Sequence, residues 1–491
     1  MSDVAALVAV VGEWLALGWL SAVAWPGEAG WGSIWALRLL VGAALTGFAM
    51  LLLALFAVSF GVVPLVLGVG ALLALALRLV QGARGEPRVE ALDLARVGAP
   101  VDAREVAPVG VPAKRRPDVL GSFVAPMAHG PGALRSVVAP ADRRASALRG
   151  LSWLALALVL VAIVVRSFVV PEAGWDAYSH WGLKAKAAFL AGAIVDTNTA
   201  HEYYPPLVPL LEAWLYVHRG AAFIDLGKTA WAPLGAGFVV CLAQHLRLLI
   251  TRAWLAPLLA LGLLLATPEL LEGFSTGQGD LALTAYLTLA TLALFQWQRH
   301  ADSLWLVQAA VFGAAAGLTK YEGLFRVAVV VLAIVLEALL ARRAPLVRPA
   351  VVLAAATALG YLPWAFFRAV HHIEVTPEHI SHLQLGATGA VLLALGAAFS
   401  GVRVGGGLVV AAIGWIGVGW RQLCAPPFRL LTLAVLGQVL ATLLAFLITD
   451  YSPVLQVQLS ATRLVEQWLP LALFVVAVWS VDAEPYTARV G

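Results

Sequence analysis

The apolar residues of this chain come in continuous blocks about twenty residues long, and that pattern sets what it can fold into. As an α-helix, a block of that length crosses a hydrocarbon layer of about 30 Å. Strands of a membrane barrel would instead alternate apolar and polar positions. Blocks lie near 4–24, 34–58, 60–80, 151–170, 228–246, 254–271, 281–297, 304–318, 324–340, 349–369 and 467–481, with two more between 383 and 420. Only 12% of the 491 residues are charged, against 61% hydrophobic. A soluble chain carries about 25% charged residues, so this one cannot cover a water-facing surface of its size. The expectation is an all-α polytopic membrane protein with about 11–13 transmembrane helices.

Cys241 and Cys424 are the two cysteines, which rules out a disulfide framework and a Cys/His zinc spacing. The first twenty residues lack a basic n-region, so a cleaved signal peptide is not expected. The net charge of +4 is concentrated in one segment, because residues 81–150 hold 11 Lys/Arg against 7 Asp/Glu. That segment also has eight prolines, from Pro87 to Pro140, and one aromatic residue, Phe123. It cannot bury enough apolar surface to offset ordering, and reads as a Pro/Arg-rich cytoplasmic loop. It separates an N-terminal transmembrane block, 1–80, from a core at 151–482, with a cytoplasmic tail at 483–491. A nucleic-acid partner is not expected; the lipid bilayer is.

With Arg143, Arg144 and Arg149 inside, the span at 151–170 delivers residues 171–227 to the extracytoplasmic side. Continuing span by span puts Arg247, Arg252, Arg342, Arg343 and Arg348 inside, and Asp280, Lys320 and Glu322 outside. The two blocks between 383 and 420 leave the parity of the tail open. Placing Arg421 and Arg429 inside is preferred, which puts 450–466 outside.

The external loop 171–227 is too long for a turn and too apolar for a solvated loop. In WDAYSHWGLKAKA, Asp176, His180 and Lys184 recur every four residues, so an α-helix would set them on one face. Pro205 and Pro206 open a second amphipathic stretch, 207–217, while Tyr203, Tyr204, Trp214 and Tyr216 are interfacial anchors by type. A carboxylate at the mouth of the bilayer suits a general base, and Lys184 and Lys186 suit a phosphate that must be held and released. The plainer alternative is that Asp176 caps a helix and the lysines reach lipid phosphates.

The patterns WDAYSHWGLKAKA, YPPLVPLL, GQGDLALTAYL and GLTKYEGL resemble the bacterial GT-C glycosyltransferases, membrane enzymes that take sugars from polyprenyl-phosphate carriers. Protein O-mannosyltransferases and aminoarabinose transferases are relatives by architecture. The resemblance covers about 151–475. It implies a GT-C-like bundle whose first external loop carries interfacial helices and a catalytic aspartate, matched here by Asp176. It further implies an acidic residue at Asp280, where a helix cap is the alternative, and a Lys-x-Glu-Gly element at Lys320 and Glu322, where a simple ion pair is the alternative. In SATRLVEQWLP it makes Arg463 a candidate donor-phosphate ligand, where an ordinary interfacial anchor is the alternative. His180, Tyr203 and Tyr204 are supporting or acceptor-side candidates.

The implied function is inverting transfer of a sugar from a polyprenyl-phosphate-linked donor to a glycan, lipid or protein acceptor, at the outer face of a bacterial-type cytoplasmic membrane. No adjacent second carboxylate flanks Asp176, and His371, His372, His379 and His382 share a loop without a clean ligand set. No metal or other cofactor is therefore predicted, and metal dependence stays open. Two rival functions remain: a transporter or flippase for a lipid-linked or anionic solute, and a non-catalytic envelope-glycan assembly protein.

Overall fold

The computed structural model describes residues 2–21, 31–56, 59–60, 140–172, 174–195, 197, 201–375, 382–400, 402–426, 428–449 and 452–481. The expected third span beyond residue 60, the Pro/Arg-rich loop as far as 139, His379 and the tail 483–491 lie outside these. All regular structure among the described residues is helical, with one isolated bridge between Leu383 and Ile448.

The protein is an integral, multi-pass helical membrane protein. Among the described residues, seven helices are long and apolar enough to cross a bilayer, from Gly32–Leu55 to Phe428–Leu447. Pro453–Glu466 and Leu469–Val481 form an eighth crossing if taken together, broken by a 43° bend. Four further apolar helices, Ala253–Leu265, Ser303–Thr319, Leu385–Phe399 and Gly406–Val418, are too short to pass the same length test. The larger number expected from sequence counts these as spans.

The piece between 383 and 420 crosses once. Gln384 donates from its backbone to Leu447 O and from its side chain to Thr449 O, so the segment starts beside the end of helix Phe428–Leu447. Gly407 then packs on Ala266 and Leu469, and Gly414 on Val476, so helix Val402–Val418 runs parallel to Leu469–Val481. It ends near Phe428 and Arg429, at the opposite end of the bundle. There Arg429 makes two hydrogen bonds to Glu337, 2.5 and 3.0 Å, close to the turn at Arg342. Arg429 thus lies at the same end of the bundle as Arg342.

The N-terminal pair is built into the core. Helices Asp3–Leu20 and Trp31–Leu55 touch backbone to backbone at two glycines. A Cβ on Gly42 would sit 1.7 Å from Trp14 O, and one on Gly18 1.8 Å from Arg38 O. Further along, Tyr286 donates to Leu40 O and Ser33 to Gln244, joining the pair to the central helices. Glu13 receives Trp214 Nε1 and bonds His218, both at 2.9 Å. Helix Leu207–Arg219 is in consequence buried from Leu207 to Tyr216. Tyr203, Trp214 and Tyr216, expected as interfacial anchors, are packing residues instead: Trp214 is bound by Glu13 of the first helix, Tyr216 lies against Phe189, and Tyr203 lies against Tyr321 and Trp364.

One apolar core runs through nearly all these helices. A second, small core joins Val391, Phe446, Leu447, Val457, Ala461 and Leu464, and so holds helix Pro453–Glu466 against the stretch before Phe399.

Candidate active site

Four charged side chains distant in sequence meet at one end of the bundle. Helix Leu183–Ala191 is preceded by a turn of π-helix, Ala177–Gly182, with Asp176 at its head. The Asp176 carboxylate makes no cap hydrogen bond. It accepts from Arg463 Nη1, which helix Pro453–Glu466 presents in its last turn. Arg463 also lies 3.9 Å from Asp280 Oδ2. Asp280 stands in the first turn of helix Gly279–His300, whose cap position is Gln278, so Asp280 is no cap either. Its Oδ1 accepts from Lys320 Nζ at 3.0 Å and from Gln467 Nε2 at 2.6 Å. Lys320 sits between two helices, with Glu322 Oε1 3.6 Å away, and Tyr204 donates to that same oxygen at 3.5 Å.

Asp280 is therefore the organiser. It is the most enclosed carboxylate of the group, and it draws one lysine, one arginine and one amide around it. Burial opposes charge on Lys320, yet Asp280 and Glu322 outweigh it and hold its pKa above the ordinary lysine value. Burial pushes the His180 imidazole pKa down despite Asp176 at 3.9 Å, favouring the neutral ring. Burial, helped by Glu322, raises the Tyr204 phenol well above its usual range, so it remains a donor.

The π turn changes what the four-residue spacing delivers. An α-helix would carry Lys184 round to Asp176, but an i→i+5 turn adds a residue and rotates the next stretch of helix. His180 stays beside Asp176, whereas Lys184 turns away to donate to His201 O at 2.6 Å. Its ammonium lies over the rings of Trp181 and Tyr204, 5.7 and 5.9 Å from their centroids. Burial lowers its pKa to about 8, with Glu202 opposing. His201 itself holds a left-handed backbone, φ 56°, a conformation that non-glycine residues adopt under constraint. Lys186 is exposed and joins none of these groups. Tyr203 is buried, with its carbonyl bound by Trp364 Nε1.

Two clefts flank the cluster and share its edges. One is lined by Gln278, Asp280, Thr284, Arg463 and Glu466. The other is lined by Lys184, Glu202, Tyr204, Leu210 and Trp364. Three polar atoms of the cluster are buried with no partner: His180 Nδ1, Glu322 Oε2 and Gln467 Oε1. Buried polar atoms are ordinarily satisfied by protein, water or a bound molecule, so these three are available to a ligand or to ordered water. No three His, Cys, Asp or Glu side chains among the described residues gather as a metal site.

Several supporting residues lie outside the sequence expectations. Glu172 accepts from Gly174 N with one oxygen and from Gly277 N with the other, both at 2.8 Å, tying the Asp176 loop to the Asp280 loop. Glu466 accepts from Glu269 N and Leu270 N, fixing helix Pro268–Gly273. Buried Arg326 binds Gln438, Thr442 and Leu464 O, setting the end of the Arg463 helix. Arg326 carried a sequence signal, an arginine inside an apolar span. Glu172, Glu466 and Gln467 carried none beyond being polar at span ends.

No protein-family model matches the chain, and no curated protein does. Among solved structures, the crystal structure of ArnT from Cupriavidus metallidurans bound to undecaprenyl phosphate is similar, with a TM-score of 0.50 and 18% identity. The match covers 67% of this chain and 60% of that one, so this chain spans about three-fifths of that protein's length. At that identity the likeness shows the fold alone, a polytopic helical membrane bundle of the same kind.

Proposed function

We propose that this protein moves a sugar from a polyprenyl-phosphate carrier to an acceptor hydroxyl, at the end of the bundle where Asp176, Asp280, Lys320 and Arg463 meet. The observation that carries the reading is that meeting: two carboxylates and two cations from four separate segments, with unpartnered buried polar atoms beside them. Asp176 is the candidate base that takes the acceptor's proton as its oxygen attacks the anomeric carbon. Arg463 and Lys320 are the candidate cations that steady the departing lipid phosphate, whose charge grows as the glycosidic bond breaks. Asp280 positions both. Lys184 and Lys186, expected at the same phosphate, fit other roles: Lys184 lines the neighbouring cleft, and Lys186 is exposed.

The arginines at the opposite end, among them Arg342 and Arg429, support an extracytoplasmic site by the positive-inside rule. The similarity to a fold solved with undecaprenyl phosphate supports the donor class.

The test is turnover by purified protein in proteoliposomes with labelled polyprenyl-phosphate sugars, reading release of the lipid phosphate. General-base help is worth about 10²–10⁴-fold, so Asp176→Asn should lose at least about 100-fold in rate while still inserting and folding. Near-normal turnover in that variant rejects Asp176 as the base. Absence of release by the unaltered protein from every donor tried rejects transfer and favours a transporter or scaffold.

A further inference from the structure

We infer that Gln467 reads the sugar of the donor, accepting a hydrogen bond from one of its hydroxyl or amino groups. The inference rests on the transfer reading above and assigns one side chain to one part of the substrate. Gln467 is fully buried, in the bend between helices Pro453–Glu466 and Leu469–Val481. Its Nε2 donates to Asp280 Oδ1 at 2.6 Å, and its Oε1 has no partner.

The orientation of the amide is fixed by chemistry. The Asp280 carboxylate, held among Lys320, Arg463 and Gln467, only accepts, so the amide must turn its NH₂ toward it. A flipped amide would press its oxygen against a carboxylate oxygen. The outer atom is consequently an acceptor, and only a donor group can satisfy it. Glu322 Oε2, on the far side of Lys320, is an acceptor in the same condition.

This divides the ligand. A phosphate brings acceptor oxygens, which suit the Arg463 and Lys320 cations and leave Gln467 and Glu322 unmet. Sugar hydroxyl or amino groups bring the missing donors. The cleft lined by Asp280, Arg463 and Glu466 lies next to that bend, since Glu466 immediately precedes Gln467. Sites built to bond a substrate hydroxyl discriminate sharply against the analogue that lacks it, because their own buried groups are then left unpaired.

The experiment uses the full chain in lipid nanodiscs. Dissociation constants are measured for undecaprenyl phosphate and for undecaprenyl-phosphate hexoses and pentoses, neutral and amino-substituted. Analogues of the tightest ligand, each lacking one hydroxyl or amino group, complete the set. The unaltered protein should prefer the best sugar-bearing lipid, and one deletion analogue should bind about tenfold more weakly. Gln467→Met should lose that same factor, become indifferent to that analogue, and keep its affinity for undecaprenyl phosphate within about twofold.

Equal weakening toward the sugar-free lipid would confine Gln467 to holding Asp280 and overturn the inference. So would equal binding of all deletion analogues, a result that needs no variant and stands even if Gln467→Met fails to fold. A protein that transfers sugar yet shows that indifference loses only the Gln467 assignment. One that binds neither lipid loses the transfer reading, and the assignment with it.

Discussion

Replacing Asp280 with alanine should destabilise the protein by about 3 kcal/mol, and the way that loss is recovered tests whether Asp280 is the organiser of the cluster. Its side chain is 14% exposed and that of Lys320 is 8%, so the pair at 3.0 Å is largely screened from water. Removing one partner of a buried pair costs about 3–5 kcal/mol, because the survivor keeps its desolvation penalty and loses its counter-charge. The lower end applies here, since Lys320 retains Glu322 at 3.6 Å and Arg463 retains Asp176. Asp280→Asn, which keeps an acceptor for Lys320 and Gln467, should lose about half as much. Adding Lys320→Met to Asp280→Ala removes the orphaned ammonium and should restore about 2 kcal/mol, within the usual range for contacting residues. Unfolding of the purified protein by SDS in mixed micelles supplies the four free energies of the cycle. An Asp280→Ala loss below about 1 kcal/mol, or a double variant that is simply additive, would refute the argument.

Lys184 titrates at about 8 in the folded protein against 10.5 for a lysine in water, so the unfolded chain binds more protons between those values and stability should rise with pH across that window. Lys184→Met should flatten that rise in melting curves taken from about pH 7.5 to 10.5. Burial works against charge on His218, but its hydrogen bonds to Glu13 and Trp214 O outweigh it and raise its pKa. Its contribution is thus fully present below about pH 6.5 and lost as pH climbs through the raised value; Glu13→Gln should abolish that loss. Gly42→Val drives side-chain carbon into Trp14 O and should cost about 3 kcal/mol, the upper range for overpacking, while Gly262→Val, with open space beside it, should leave the melting temperature nearly unchanged.

Helices were the easy part to read from the sequence, because an apolar block without polar relief has few other ways to exist in lipid. Blocks such as 281–297 and 324–340 reappear as helices Gly279–His300 and Tyr321–Ala341. Whether a block is one crossing or two was less legible, since it depends on neighbours: Val402–Val418 tracks Leu469–Val481 across and so completes a single passage. In the cluster, Asp176, Asp280, Lys320 and Arg463 stood out as charges at span ends, and the structure brings them together. Lys184 did not join them, because periodicity assumes about 3.6 residues per turn and the π turn at Ala177–Gly182 breaks that assumption where the chemistry is proposed. Gln467 stayed hidden for another reason. A glutamine at a helix bend is unremarkable until Asp280, 187 positions away, is seen to hold its amide.

The small second core has an implication for the guanidinium it carries. Helix Pro453–Glu466 shares its small apolar core with the end of helix Phe428–Leu447, and a set of directional polar bonds adds to that seat: Leu464 O to Arg326, Glu466 to two backbone amides, Arg463 to Asp176. Such a joint is exact in its resting pose but exchangeable partner by partner. On the transfer reading proposed above, an arriving anion that competes for Arg463 would loosen one fastening and free a carboxylate oxygen of Asp176 in the same stroke, so that docking the donor and exposing the base would be a single event.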